Sequence, residues 1–376
     1  YDYEGNDVTC FANLDCQTPY YFVYLENGKY NEEVIDFYIE FLKKLQREYN
    51  FDGFRVDHID HIADRFSEKD GIPISYRAPR EVLKRANKEL KTVVPHFAAL
   101  AEYMLWDNLF KEYNEDMGFD IFWGNDIISQ YQKDVLRIIE DNNQIEQYNT
   151  QYERTKKLSI LKIYNNQDGE FREINQYPGQ LGEDGAIFKW FKLKFLPGGE
   201  NAQRPIMFID GDESFTKVGI EKAIGSEESM RREENCEFFD KFNAIDKFAK
   251  NMLINGKAVI YQVNKETGFV SWLVEFEGKP EKLFITANEK PPTEVTRIKN
   301  GEELEEFTQI ENNPIENIDI VIPEGFSVIS EVVYNSQLKE FEEKTKIDNL
   351  TENCLYFKII KPSEFYIYKI VKKNQE

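Results

Sequence analysis

The sequence predicts an α/β region with a parallel sheet, followed by a separate antiparallel β domain. Up to about residue 268, segments with helical periodicity alternate with short apolar runs, which is the pattern of parallel strands joined by helical crossovers. After residue 268, short strand-like runs follow one another with turn signals between them. The 376 residues are enough for two or three domains, and the 41% of apolar residues can form a large core.

The α/β region contains its clearest helix at residues 31–49. Asn31 is a suitable N-cap, and the two glutamates behind it are favourable in a first helical turn. Apolar residues recur there at helical spacing, namely Val34, Phe37, Tyr38, Phe41, Leu42 and Leu45. The segment FDGFRVDHI at 51–59 follows at once and predicts a short buried strand.

The later segments continue the alternation. Helices are predicted at 80–91, 127–141 and 235–255, and strands at 119–126, 204–212 and 257–263, while 96–105 fits either a strand or a helix. In the β domain, strands are predicted for FVSWLVEF, KLFITAN, NIDIVIP, SVISEVV, CLYFKII and FYIYKI. The one helix candidate among those runs lies at 335–345.

Composition limits the classes of partner. A net charge of −22 does not attract phosphate backbones, so nucleic acid is not an expected partner. A neutral sugar meets no such repulsion, and the 21 Tyr, 29 Phe and 4 Trp suit stacking on sugar rings, although most are expected in the core.

No run of 18 apolar residues predicts a membrane span, and the chain begins without signal-peptide features. It also begins without Met, which indicates processing or a start within a longer protein, and the compartment stays open.

The four cysteines are dispersed, at Cys10, Cys16, Cys236 and Cys354. They form no C-x-x-C pair, so a zinc site is not expected. A disulfide between Cys10 and Cys16 and free thiols remain alternatives.

Acidic residues stand at the ends of three predicted strands. The first strand ends at Asp57, the second at Glu102, and a later one at Asp210 and Asp212. In parallel α/β folds the carboxyl ends of the strands carry the chemistry, and a carboxylate is costly to desolvate there unless it is paired or used. These residues, beside Arg55, therefore predict a convergent acidic site rather than scattered surface acids.

Two carboxylates are what glycoside cleavage requires, since one attacks the anomeric carbon and the other protonates the leaving oxygen. Arg55 projects to the same strand face as Asp57, and its charge favours an ionised nucleophile. The neighbours of Glu102 are apolar and aromatic, namely Leu100, Tyr103, Met104 and Trp106. Such surroundings raise the pKa of a carboxyl group, as a general acid requires.

Several motifs resemble those of the α-amylase family of retaining glycosidases and transglucosidases. GFRVDHIDH (53–61) resembles the family's nucleophile motif, LAEYMLWDN (100–108) its acid/base motif, and IMFIDGDES (206–214) its third-carboxylate motif. Weaker matches occur in the right order at AVIYQVNKETG (258–268), FANLDCQTP (11–19) and KIIKPSEFYIYKI (358–370). Together they extend over about residues 11–370.

The resemblance implies a partial (β/α)8 TIM barrel, covering about strands four to eight, followed by an all-β sandwich. The barrel portion would occupy residues 1–268, with an insertion or long loop around 142–203. The C-terminal β-sandwich would occupy residues 269–376. The family's first three strands and its asparagine-histidine motif have no counterpart, so a missing N-terminal segment or a second chain is expected to complete the barrel.

The resemblance also implies roles for individual residues in the cleavage or transfer of α-glucosidic bonds. Asp57 would form the covalent glucosyl intermediate, Glu102 would act as acid and then base, and Asp212 would bind sugar hydroxyls. Arg55 would orient Asp57. Other residues would line the substrate cleft, namely Asp60, His61, Tyr103, Trp106 and Asp210. No cofactor is implied beyond the structural calcium ion that some relatives carry, for which the sequence has no motif.

Two departures from the family pattern keep other functions open. Gly211 stands where the family has a histidine, and Asp60 where it has a lysine. A member that has lost catalysis and serves as a carbohydrate-binding or interaction protein is therefore an alternative. A third hypothesis is an acidic metal-binding domain, because carboxylate oxygens suit hard cations. Its candidate ligands are Asp60, Asp64, Asp210 and Asp212, which lack a recognisable ligand spacing.

Overall fold

The chain divides into two compact units in a computed structural model. The structure describes residues 30–56, 68–69, 72–102, 112–123, 134–151, 157–164, 182–215, 235–291, 293–300 and 304–373. Unit 1 comprises Tyr1–Ile127 and Glu153–Leu161, and unit 2 comprises Ile128–Tyr152 and Lys162–Glu376. Cys10 and Cys16 lie outside the described residues, while Cys236 and Cys354 are free thiols. None of the described helices combines the length and hydropathy needed to cross a bilayer.

Unit 1 contains short parallel strands and two long helices. Its elements are α1 (Glu32–Tyr49), β1 (Gly53–Val56), β2 (Glu68–Lys69), β3 (Ile72–Pro73), α2 (Ile74–Val93), β4 (Ala98–Ala101), a π-helical turn (Glu112–Asp116), β5 (Ile121–Phe122) and β6 (Ser159–Ile160). The sheet order is β1-β4-β5-β6, and every pairing in it is parallel. The prediction of parallel strands with a helical crossover is confirmed, since α2 lies between β1 and β4 in the chain.

Helix α1 begins as predicted, because the Asn31 side chain accepts a hydrogen bond from the Val34 N–H. The predicted apolar stripe is only partly right. Ile35 and Ile39 form the buried face and pack with α2, whereas Phe37 and Phe41 are exposed. Residues two positions apart differ by about 200° around a helix, so the two phenylalanines point away from the face centred on the isoleucines.

Unit 2 combines three helices with an antiparallel β domain. Its helices are α3 (Val135–Gln151), α4 (Gly182–Phe195) and α5 (Cys236–Met252), and its short parallel pair is β7 (Lys162–Ile163) with β8 (Ile206–Met207). Its remaining strands are β9 (Lys257–Asn264), β10 (Phe269–Glu275), β11 (Glu281–Asn288), β12 (Thr293–Asn300), β13 (Leu304–Glu311), β14 (Ile315–Val321), β15 (Phe326–Asn335), β16 (Glu340–Lys344), β17 (Cys354–Ile360) and β18 (Phe365–Lys372).

The β domain is built on a six-stranded sheet of order β16-β15-β18-β11-β10-β9. One face of this sheet packs on α4 and α5, where Trp272 is fully buried and its indole N–H donates to the Phe195 carbonyl at 3.0 Å. The other face packs on the β14–β17 ribbon, with Phe284 and Leu355 in that second core. All six strand runs predicted after residue 268 are confirmed as strands.

Three predictions for unit 2 are wrong in detail. Residues 142–203 are not a long loop, because α3 continues to Gln151 and 182–195 forms the buried helix α4. Residues 257–263 form a strand, β9, but this strand does not belong to the parallel sheet. It pairs antiparallel with β10, and the short turn between the two strands ends at Gly268, where the domain boundary was predicted. A connection that short can join only antiparallel strands. Residues 335–345 form a turn and β16 rather than a helix. The partial barrel stays a prediction.

Gly53→Ala tests the close approach of β1 and β4. An added Cβ would lie 2.2 Å from the Ala98 carbonyl oxygen, so one strand must move. We expect urea denaturation to show a loss of about 3 kcal/mol in the free energy of unfolding. The matched control is Gly278→Ala, whose Cβ meets nothing within 4 Å. Its left-handed backbone should cost about 1 kcal/mol, and equal losses for the two variants would contradict the pairing.

Candidate functional site

The candidate site in unit 1 begins with the register of β1 against β4. Arg55 lies opposite Leu100, and Val56 lies opposite Ala101. The Glu102 N–H then donates to the Val56 carbonyl at 2.9 Å, which extends the ladder one residue beyond β4. This pairing brings the carboxyl ends of the two strands side by side and sets Glu102 next to the last residues of β1.

Arg55 and Glu102 form a direct ion pair. The Arg55 Nη2 lies 2.7 Å from the Glu102 Oε1. The Glu102 side chain is almost completely buried, with 3% of its surface exposed, while Arg55 keeps 33%. A buried carboxylate is stable only when it is paired or hydrogen-bonded, and Arg55 provides the charge that Glu102 needs.

Trp123 is a third component of this site, beside Arg55 and Glu102, and the sequence analysis missed it. The Arg55 guanidinium carbon lies 4.2 Å from the centre of the Trp123 ring, and the ring is fully buried. Trp123 follows β5, and its backbone N–H donates a hydrogen bond to the Ala101 carbonyl at 3.1 Å. Three neighbouring strands therefore each contribute one side chain at their carboxyl ends. The strand-end rule that selected the acids would also have selected Trp123.

The ion pair adds a contact that the sequence analysis did not expect. That analysis paired Arg55 with Asp57, which lies outside the described residues, so this pairing stays a prediction, and it placed Glu102 among apolar neighbours. In the structure Arg55 contacts Glu102, and a guanidinium partner favours the ionised carboxylate over the protonated one. This contact opposes the proton retention expected of a general acid.

Five predicted site residues lie outside the described residues: Asp57, Asp60, His61, Tyr103 and Trp106. Their roles stay predictions.

Asp212 belongs to unit 2 and begins a 3-10 turn directly after Gly211. Its side chain is buried, and its Oδ2 accepts a hydrogen bond from the Ile209 N–H at 2.8 Å. Gly211 has φ of 93°, a left-handed conformation that disfavours a histidine at this position. Asp210, at the same turn, is exposed. The local backbone therefore favours glycine at position 211.

Two further side chains of unit 2 surround this turn. Tyr164 is fully buried, and its hydroxyl donates to the Ala186 carbonyl at 3.3 Å. Burial raises the pKa of Tyr164 well above its ordinary value, and the charges of Asp212 and Glu213 raise it further. The Lys189 Nζ lies 5.5 Å from the centre of the Tyr164 ring. Tyr164 stays neutral at working pH and acts there as a hydrogen-bonding group.

Metal binding finds no support in the described part of the chain, where no three His, Cys, Asp or Glu side chains are grouped to hold an ion. Asp60 and Asp64 lie outside it. The described residues thus offer no cage for a structural calcium ion, and we assign no step to a metal.

A double-mutant cycle on Arg55→Met and Glu102→Gln tests the ion pair. Arg55→Met removes this contact from the buried Glu102, so we expect it to cost about 2 kcal/mol of stability, while Glu102→Gln removes it from the partly exposed Arg55 and should cost less. The double variant should cost less than the sum by about 1 kcal/mol or more. The exposed pair Lys44–Glu48 in the same unit is the matched control, with an expected coupling of about 0.3 kcal/mol. Additive losses at Arg55 and Glu102 would contradict the contact.

The comparison with solved structures identifies the fold. An α-amylase from Geobacillus thermoleovorans, solved in complex with acarbose, matches with a TM-score of 0.51 and 15% identity, over 92% of this chain and 65% of that one. Trehalose-6-phosphate hydrolase from Bacillus licheniformis matches with a TM-score of 0.55 and 13% identity, over 94% and 72% of the two chains. An α-amylase from H. orenii matches with a TM-score of 0.50 and 16% identity, over 98% and 73%.

These relatives are longer than this chain, which spans 65% of the Geobacillus enzyme. No family model and no curated protein sequence matches. The structural likeness supports the family resemblance that the sequence motifs indicated, and it does so at the level of the fold. The chain has the fold of the α-amylase family.

Proposed function

We propose that this protein cleaves or transfers α-glucosidic units with retention of configuration, using Asp57 as nucleophile and Glu102 as acid/base. The observation that supports it most is the position of Glu102. Its carboxylate is buried at the carboxyl end of β4 and pairs with an arginine of the neighbouring strand, in a chain with the α-amylase fold. A buried, paired carboxylate at this edge of a parallel sheet is typical of an active site.

The chemistry takes two steps. Asp57 attacks the anomeric carbon while Glu102 gives a proton to the leaving oxygen, and Glu102 then takes a proton from water or from an acceptor hydroxyl. Retention requires the two carboxyl groups to be roughly 5–5.5 Å apart, which we expect for Asp57 and Glu102. Asp212 would hold hydroxyl groups of the bound sugar.

Arg55 has a role in both steps. A guanidinium carries five N–H donors in a planar fork, so it can serve two carboxylates that lie on the same side of it. Stacking on Trp123 fixes its plane. We propose that Arg55 pairs with Glu102 when Glu102 must be ionised to act as a base. Arg55 pairs with Asp57 when Asp57 must be ionised to act as the nucleophile. Proton uptake by Glu102 weakens the first pair and releases Arg55 for the second.

The substrate is proposed to be a neutral α-glucan or oligosaccharide. The Geobacillus enzyme was solved with acarbose, and the Bacillus licheniformis protein is named a trehalose-6-phosphate hydrolase, so proteins of this fold differ in the sugar they use. A net charge of −22 disfavours an anionic sugar unless a local cluster of cations binds it. Acarbose is therefore a suitable first inhibitor, and unphosphorylated maltooligosaccharides are suitable first substrates.

Gly211 supports a second candidate function, carbohydrate binding without turnover. Glycine has no side chain, whereas the histidine that the family resemblance implies at this position would hydrogen-bond the sugar held for cleavage. The left-handed backbone of Gly211 disfavours that histidine. A protein that binds maltooligosaccharides but turns over none of them, with either water or sugar as acceptor, would have this second function.

Leaving-group dependence tests the role of Glu102 in the complete polypeptide. A nitrophenolate is a good enough leaving group to depart without protonation, whereas the leaving oxygen of a sugar must receive a proton as its bond to the anomeric carbon breaks. We expect Glu102→Gln to lower kcat/KM on maltotriose by about 10²–10⁴-fold and to lower the rate of nitrophenol release from 4-nitrophenyl α-glucoside far less. Asp57→Ala should abolish both, because the nucleophile is needed for every donor.

The matched control for this experiment is Glu33→Gln, which removes the same charge from an exposed position of α1. It should leave both rates unchanged. Equal losses on the two donors in Glu102→Gln would show that Glu102 is not the proton donor. An active Asp57→Ala variant would overturn the assignment of the nucleophile.

A further inference from the structure

Unit 2 contains a cavity of 460 Å³ that the proposed chemistry does not use. It lies where two strands of the six-stranded sheet separate. The pairing of β15 with β18 stops at Val332 and Ile367, yet β15 runs on to Asn335 alongside β16, and β18 begins earlier, at Phe365, alongside β11. The fork between the two strands opens into the cavity, and helices α4 and α5 contribute to its wall.

The fork exposes backbone groups as well as side chains. Val333 and Tyr334 line one side, and Phe365 and Tyr366 line the other. Among the described residues, no ladder pair joins these two segments. Backbone N–H and C=O groups on facing edges need partners, and a bound molecule with several hydroxyl groups can satisfy them.

Aromatic residues and charged residues both line the cavity. Four of its residues are aromatic, namely Tyr334, Phe341, Phe365 and Tyr366. Three acids and two lysines also line it, namely Asp184, Glu331, Glu364, Lys241 and Lys361. Acceptors and donors are thus both present and nearly balanced in charge. A lining of this kind suits a neutral molecule that has apolar ring faces and many hydroxyl groups.

Two acids of the cavity have polar groups beside them before any ligand binds. Glu331 lies near Tyr368, whose hydroxyl accepts a hydrogen bond from the Asn349 amide at 3.2 Å. The Tyr368 ring is fully buried. On the other side, Glu364 accepts from the Lys361 N–H at 2.7 Å. Burial raises the pKa of Glu331, while the Tyr368 hydroxyl opposes that rise. Fixed acceptors reduce the entropy that a ligand loses on binding.

We propose that this fork cavity binds a short neutral saccharide, one or two glucosyl units of an α-glucan. Its volume falls within the roughly 300–1,000 Å³ typical of small-molecule sites. A peptide strand fits less well, since β15 extends only from Val333 to Asn335 beyond its pairing with β18. The choice of an α-glucan rests on the proposed function, but binding at the fork requires no turnover.

Isothermal titration with maltotriose tests the fork cavity in the complete polypeptide carrying Glu102→Gln, which suppresses turnover. We expect two classes of site, one in the catalytic cleft and one in the fork cavity. Adding Tyr334→Ala should weaken the second class at least tenfold, because the ring no longer stacks on the sugar. Tyr334→Phe keeps the ring and should keep most of the affinity. Glu331→Gln, which hardly changes side-chain volume, should weaken the same class severalfold.

Matched control variants distinguish the loss of a contact with the bound sugar from a general disturbance of the fold. Tyr356→Ala and Glu324→Gln remove the same groups from exposed positions that do not line the cavity, and both should leave the second class unchanged. An isotherm that Tyr334→Ala and Glu331→Gln leave unaltered would overturn the proposal, whether it shows one class of site or two. If the cleft neither binds nor cleaves maltotriose, one class of site remains and these two changes should still weaken it, so failure of the proposed function and failure of this inference are distinguishable.

Discussion

The parallel pairing of β1 with β4 is the constraint on which the candidate site depends. It requires a glycine at position 53, because any Cβ there would collide with the Ala98 carbonyl oxygen. The same register places Val56 against Ala101 and lets the Glu102 N–H bond to the Val56 carbonyl. Without that register, the Arg55 guanidinium would not be held between the Glu102 carboxylate and the Trp123 ring.

Within this frame, the burial of Glu102 and its pairing with Arg55 act in opposite directions. Burial favours a protonated carboxyl group, whereas the guanidinium at 2.7 Å favours an ionised one. An acid/base residue must take both forms in each cycle, so a balance between the two effects suits it better than either alone. In the proposed mechanism, the ion pair couples the protonation of Glu102 to the availability of Arg55.

The carboxyl-end rule selected Glu102 in unit 1 and Asp212 in unit 2, and both are buried, while their roles stay predictions. The partner of Arg55 could not be predicted from spacing, since it depends on the register between two strands separated by α2. Helix α4 escaped prediction because it is buried on nearly all sides and so lacks an amphipathic period. Strand β9 was assigned to the wrong sheet because a single strand pattern does not reveal the direction of its partner, which the turn before Gly268 decides.

The central claim is that Asp57 and Glu102 act as the two carboxylates of a retaining mechanism. Proton NMR of the first product formed from an α-maltooligosaccharide by the complete polypeptide tests it most directly, since the anomeric signals of the α and β forms are resolved before mutarotation. We predict that the α anomer appears first, as two successive displacements at the anomeric carbon require. Initial release of the β anomer would show a single displacement by water and would contradict the account.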